Sequence, residues 1–294
     1  MVIIVYFLIV LFSVTQSAST KLFNRHSQNS ALFNAIKSTS ALVLFALMAI
    51  NGFSAHTPTI LFGLLYGACL CLSMFTGYKA LCLGPMALTS MLVSFSVLIP
   101  LLWGLTVGDE ALNPVHGIAI LLLMTAIVLT NADKLLRNVK SADGSVESAS
   151  KGKYGLWLLF VAVTFLSNGV CSVLQKQHRT LYPEASSGEF MLWAMLLCTV
   201  IFSVISLAKR SFSHRQPTKG KWLGVLSGVS NGLANFFTLV LAGFENASIL
   251  FPIISAGTLL GAILCGRLIF KEKLRINHYF ALVIGMLAVI LMKL

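Results

Sequence analysis

Ten apolar stretches, each about as long as a helix that crosses a bilayer, decide what this chain can fold into. They lie at roughly 2–20, 31–50, 58–79, 85–107, 114–131, 154–175, 188–208, 221–242, 246–268 and 276–293. About 20 residues rising ~1.5 Å each match the ~30 Å hydrocarbon layer. Inside that layer every backbone N–H and C=O must be bonded within the protein, and a helix does so within one segment. The expected fold is therefore all-α, a polytopic membrane protein of about ten transmembrane helices. Composition agrees: 57% of the 294 residues are hydrophobic and 10% are charged, against about 25% charged in a soluble domain.

The net charge of +12 would suggest nucleic acid in a soluble protein. Here no basic stripe is interleaved with aromatics, so nucleic acid is not an expected partner. Most of the 21 Lys and Arg residues fall instead in alternate loops. These hold Lys21 and Arg25; Lys79; Lys134, Arg137, Lys140, Lys151 and Lys153; Lys209, Arg210, Arg215, Lys219 and Lys221; and Arg267, Lys271, Lys273 and Arg275. The opposite side has Lys176, Arg179 and Lys293. Positive loops stay in the cytoplasm, so both termini are expected outside. Residues 1–19 end in Ser17-Ala18-Ser19, but the positive residues follow the apolar run rather than precede it. That order reads as an uncleaved first helix and not as a signal peptide. Compact loops and the lack of a transit peptide point to a bacterial inner membrane.

The polar, Ser- and Lys-rich stretch 132–153 reads as a flexible linker between two five-helix halves, 1–131 and 154–294. A shift of 162 brings Leu88, Leu98, Leu102, Gly104, Glu110, Leu112 and His116 onto Leu250, Leu260, Leu264, Gly266, Glu272, Leu274 and His278. A shift of 155 brings Lys21 onto Lys176. With an odd number of helices per half, the second half enters the membrane from the opposite side. The repeats are then inverted, a plan common among secondary carriers.

These residues resemble the drug/metabolite transporter superfamily, and within it the ten-helix EamA-type carriers. The most specific part closes each half. It is Leu83-Gly84-Pro85-Met86-Ala87-Leu88-Thr89-Ser90, then Gly104, Gly108-Asp109-Glu110 and Leu112. The second copy is Glu245-Asn246-Ala247-Ser248, then Gly266, Lys271-Glu272-Lys273 and Leu274. Lys37 sits where these carriers often have Arg, and Lys21 and Lys176 where many have Lys. The resemblance implies a central cavity lined by helices 1–4 and 6–9, with helices 5 and 10 outside. This chain lacks the family's first-helix Trp-Gly in both halves, and the family usually has cytoplasmic termini.

Burying charge in hydrocarbon is costly, which makes Lys37, in Asn34-Ala35-Ile36-Lys37-Ser38, the leading candidate to bind an anionic or carboxylate group. The alternative is a lysine whose stem lies along the helix while its ammonium reaches the interface. Further substrate-binding candidates are Asn34, Gln16, Tyr66, Tyr78, Asn168, Trp193, Asn231 and Asn235. Lys21, Lys176, Pro100, Pro252, Glu110 and Glu272 are expected to act in gating or structure. Prolines free a helix carbonyl, and the two glutamates sit in turns before helices, where a carboxylate suits the N-terminal dipole. Glycines four apart, Gly63 and Gly67, Gly224, Gly228 and Gly232, and Gly257 and Gly261, mark close helix crossings.

All nine acidic residues fall in predicted loops or helix ends, so proton-coupled export of lipophilic cations through a membrane-embedded glutamate is disfavoured. The six cysteines read as small buried hydrophobes. No nucleotide-binding loop, HxxxH pair or metal-ligand spacing occurs, and no cofactor or metal is expected. The function expected is a secondary transporter moving a small metabolite by alternating access. Its solute is amino-acid-like, zwitterionic, neutral or anionic. The alternatives are a multidrug or organic-cation exporter of the same superfamily and, from another class, an integral membrane enzyme. The expected partners are the small-molecule substrate and membrane lipid, with a homodimer left open.

Overall fold

The structure is a computed structural model that describes residues 2–26, 30–49, 53–83, 89, 92–108, 114–142, 151–208, 218–269, 271 and 276–291. Among these residues the regular structure is helical. The elements are α1 (Val2–His26), α2 (Ser30–Ala49), α3 (Thr57–Leu83), α4 (Leu98–Thr106), α5 (Pro114–Ala142), α6 (Lys151–Leu181), α7 (Ser187–Ala208), α8 (Thr218–Leu241), α9 (Ala247–Leu268) and α10 (Ile276–Leu291). Seven of the described helices are long and apolar enough to cross a membrane, and shorter apolar helices run over Leu92–Thr106, Pro114–Leu129 and Tyr279–Leu291.

Helix ends follow capping chemistry rather than the edge of the apolar run. α1 and α6 continue past the expected ends, to His26 and Leu181. Lys, Arg and Gln favour helix nearly as well as Leu does, so polarity alone does not stop one. α6 stops where Tyr182 precedes Pro183, a position that disfavours helical backbone. α5 reaches Ala142 and α6 starts at Lys151, so helix enters the polar stretch 132–153 from both sides. Its residues 143–150 lie outside those described. In the expected fourth span, 85–107, the described helix runs over Leu92–Thr106. A 3₁₀ turn at Phe95–Val97 precedes α4, and Pro100 offers no N–H to the carbonyl of Ser96 in that turn.

The chain forms two compact units, each drawn from both ends of the sequence. Unit 1 comprises Met1–Cys71 and Leu174–Glu245, and unit 2 comprises Leu72–Val173 and Asn246–Leu294. In unit 1, α1 packs on α8, and α2 packs on both α7 and α8. Glycines make these crossings close. A Cβ on Gly63 would lie 2.7 Å from the Phe190 carbonyl oxygen of α7, and one on Gly67 would lie 2.7 Å from that of Ala194. A Cβ on Gly224 or Gly232 of α8 would meet side chains of α2 instead, Ile36 at 2.8 Å and Phe45 at 3.0 Å. In unit 2, α10 packs on α5 and α9, and α9 packs on α4. Pro252 is buried within α9 and offers no N–H to the Ser248 carbonyl one turn earlier.

Large apolar side chains cover much of the outside, among them Ile3 (80% exposed), Leu121 (68%) and Leu268 (75%). In water these would be a liability. Against lipid tails they are at home, which is what an integral membrane protein requires.

Candidate functional site

Unit 1 carries most of its buried polar groups on α2, α6, α7 and α8. Lys37 of α2 is 6% exposed, and Ser38 beside it is also buried. Ser38 Oγ donates to the Asn34 carbonyl at 2.8 Å. The bond keeps a polar hydroxyl satisfied in an apolar setting without leaving the helix. A Cβ on Gly228 would collide with the Lys37 carbonyl and Ser40 Oγ. α8 therefore rests directly on the lysine's own backbone.

Among the described residues no carboxylate forms an ion pair with Lys37. The Cys198 thiol of α7 is the neighbouring titratable side chain. Cys198 in turn is hydrogen-bonded with Cys71, and its Sγ lies 3.5 Å from the Gly67 carbonyl oxygen, which it donates to. Both cysteines are free and buried, as the reading of them as small apolar fillers expects. A buried ammonium without a carboxylate partner favours an incoming negative group.

Across α3 and α8 a second set of candidates meets. Tyr66 is 1% exposed, and its hydroxyl donates to Asn235 Oδ1 at 2.8 Å. Asn235 Nδ2 donates to the Asn231 carbonyl at 2.8 Å. Gln175 Nε2 of α6 donates to the Asn235 carbonyl at 3.3 Å. Much of the Asn235 amide is thus spent on the protein, and its effect is to fix the Tyr66 ring and the end of α6. Asn231 is buried one turn earlier on the same face.

The remaining candidates separate. Gln16 is half-buried on α1, where its carbonyl accepts from Thr20 Oγ1. Thr20 Oγ1 also lies 3.3 Å from Ser227 Oγ of α8. Trp193 is half-buried on α7, with its ring centroid 6.5 Å from that of Phe53 and its Nε1 without a partner among the described residues. Lys21 is half-buried. Lys176 Nζ donates to the Ala242 carbonyl at 3.2 Å and to that of Glu245 at 2.7 Å. Its charge closes the C-terminal end of α8, where free carbonyls and the helix dipole favour a cation.

Unit 2 holds the other two. Asn168 Oδ1 accepts from Ser73 Oγ at 2.5 Å. One turn along, Thr76 and Thr164 hydroxyls lie 2.8 Å apart, tying α3 to α6. Trp157 Nε1 donates to Thr89 Oγ1 at 2.9 Å. Tyr78 is 43% exposed and is not brought to either polar set. Pro100 and Pro252 are buried. Glu110 and Glu272 lie outside the described residues.

Sequence reasoning passed over Glu189. It sits in the first turn of α7 and is fully buried. Its Oε2 accepts from Ser54 Oγ at 2.8 Å and from Ser54 N–H at 3.3 Å, while Oε1 has no partner among the described residues. The signal was present as Ser186-Ser187-Gly188-Glu189, a capping-box pattern, and the Glu189 N–H does donate to Ser186 Oγ. His178, fully buried at the end of α6, was also passed over. A histidine near an Arg and a helix end reads as interfacial, and only packing hides it.

An all-helical chain with lipid-suited exterior and several membrane-length helices is a polytopic integral membrane protein. Residues 155–294 match the EamA-like transporter family. The match covers 140 of the 294 residues and is to a family of transporters within the drug/metabolite transporter superfamily, which supports reading the protein as a membrane transporter. The whole-chain fold is similar to a solved protein described only as "Crystal structure of protein". It is 14% identical, with a TM-score of 0.75, over 98% of this chain and 94% of that one. A search among curated proteins gives no match.

Proposed function

We propose that the protein is a secondary carrier that moves a small anionic or zwitterionic metabolite by alternating access, with Lys37 receiving the negative group. The observation that carries this reading is the burial of Lys37 on α2 with no carboxylate ion pair among the described residues. A carboxylate binding there would replace the ammonium's lost hydration with a charge-assisted hydrogen bond worth about 1.5–3 kcal/mol. Ser38, Asn34, Tyr66, Asn231 and Asn235 supply neutral hydrogen-bonding groups around the same helices. Trp193, Gln16, Asn168 and Tyr78 are further substrate-binding candidates. In this reading the halves 1–131 and 154–294 are inverted repeats, the termini face outward, and the membrane is a bacterial inner membrane.

Glu189 gives the organic-cation alternative a buried carboxylate to work with. It lies at the start of α7 and is already held by Ser54, which is why the anion reading is preferred.

The test is flux in proteoliposomes with panels of carboxylates, amino acids, neutral sugars and organic amines. Saturable carboxylate or amino-acid flux should fall at least about tenfold in Lys37→Ala, the equivalent of one lost charged hydrogen bond. Lys37→Arg should keep part of it. Amine flux insensitive to Lys37 but abolished by Glu189→Gln would replace this reading with the cation exporter.

A further inference from the structure

We propose that His56, Thr59 and His178 form a proton relay, leading from an open pocket at one end of unit 1 to the buried imidazole of His178, which is a proton-binding site. The pocket has a volume of about 280 Å³ and is lined by Ser54, His56, Tyr182, Pro183, Glu184 and Ala185. His56 is half-buried and forms the relay's pocket-facing end. Its Nδ1 lies 2.9 Å from Thr59 Oγ1. The same hydroxyl lies 3.1 Å from His178 Nε2. Thr59 and His178 are both fully buried.

A threonine hydroxyl has one proton to give and lone pairs to receive another. Placed between two ring nitrogens, it donates to one while accepting from the other, and either direction satisfies the chain. When Thr59 donates to His178 Nε2, the neutral His178 ring carries its proton on Nδ1. When Nε2–H donates to Thr59, Nδ1 is bare. His178 Nδ1 has no partner among the described residues, so the protein does not lock either tautomer.

The transfer balances. A His56 imidazolium, loaded at Nε2 from the pocket, breaks its Nδ1–H bond as Thr59 Oγ1 takes that proton. Thr59 releases its own hydroxyl proton, which forms the Nε2–H bond of His178. His56 returns to the neutral ring and His178 becomes the imidazolium. The ring cannot swing to find another partner. Its centroid is 4.8 Å from the Phe190 ring, 5.7 Å from Phe62 and 5.9 Å from Tyr182. The titratable and charged groups on the surrounding elements are His56 ahead of α3, Arg179 and Tyr182 at the end of α6, Glu184 in the following turn, and Glu189 on α7. Gln175, one turn before His178, is bonded to Asn235, so the site stands on the helix that supports Tyr66's partner.

The test needs no substrate, and its outcome is independent of what is carried. Protein labelled with ¹⁵N at histidine is studied by NMR in detergent, with the His178 ring signals assigned by their loss in His178→Gln. In the wild type the His178 ring should titrate, and its Nε2 proton should exchange readily with water. Thr59→Val, which keeps the shape and removes the hydroxyl, should slow that exchange at least about tenfold, a barrier rise near 1.4 kcal/mol. Thr59→Ser should restore it. If Thr59→Val does not fold, His56→Gln carries the same comparison from the pocket wall. A His178 ring that never titrates, or exchange unchanged by both Thr59→Val and His56→Gln, would overturn the relay.

Discussion

The crossing of α3 and α7 at Gly67 can be tested by one methyl group. A Cβ there would lie 2.7 Å from the Ala194 carbonyl oxygen, 3.0 Å from its Cα and 3.2 Å from its carbonyl carbon. All three are backbone atoms, so no rotamer change makes room. Restoring an ordinary contact needs the helices to part by roughly 0.7 Å, and a gap of that size forfeits a quarter to a half of the dispersion energy between facing atoms. Overpacking of this kind costs about 1–3 kcal/mol. The helix propensity gained by Gly→Ala returns up to about 1 kcal/mol. Gly67→Ala should therefore destabilise by about 1–2 kcal/mol. Gly117 is the control, because a Cβ on it meets nothing within 4 Å. Gly117→Ala should be stabilised by up to about 1 kcal/mol. The assay is unfolding of the protein in mixed micelles with rising denaturing detergent, followed by circular dichroism. Gly67→Ala as stable as wild type, with Gly117→Ala behaving as expected, would refute the close crossing.

Three further outcomes can be checked on the same preparation. Tyr66→Phe leaves Asn235 Oδ1 without the phenol donor, and the same unfolding curve should shift by about 1–2 kcal/mol. Lys176→Met removes a charged donor from the Ala242 and Glu245 carbonyls; a loss of about 1.5–3 kcal/mol is expected, with faster amide exchange at the end of α8. Ala55 holds a left-handed backbone, φ 49°, beside the Ser54 hydrogen bonds to Glu189. Ala55→Gly should therefore stabilise by about 1 kcal/mol, and unchanged or lowered stability would show that this turn carries no such strain.

Fold class was legible because its cause is local. Apolar runs of bilayer length dictate helices wherever they occur, and apart from the fourth the described spans begin close to where those runs begin. The ends were less legible. The run in α6 fades near residue 175, yet the helix continues to Leu181, since what stops a helix is Tyr182-Pro183 and not polarity. The small-residue spacing of α3 and α8 was equally readable, because only a missing Cβ permits a carbonyl to approach so closely.

What the residues share across the chain was not legible in the same way. Lys37 drew notice because a charge in an apolar run is costly at any position, but its lack of a carboxylate ion pair among the described residues depends on which side chains α7 and α8 present. Lys176 looked like its repeat partner Lys21, and packing made it the cap of α8. Tyr78 and Tyr66 are the same residue type on one helix, and one is exposed while the other is buried on Asn235. The sequence by itself determined that the chain lives in a membrane as helices, and where glycines let them meet, because hydrocarbon and backbone sterics act on each segment alone. Only the tertiary structure decided that Glu189 and His178 are buried, and that Thr59 joins two histidines 122 residues apart in sequence, because burial and hydrogen-bond partners depend on helices far apart in the chain.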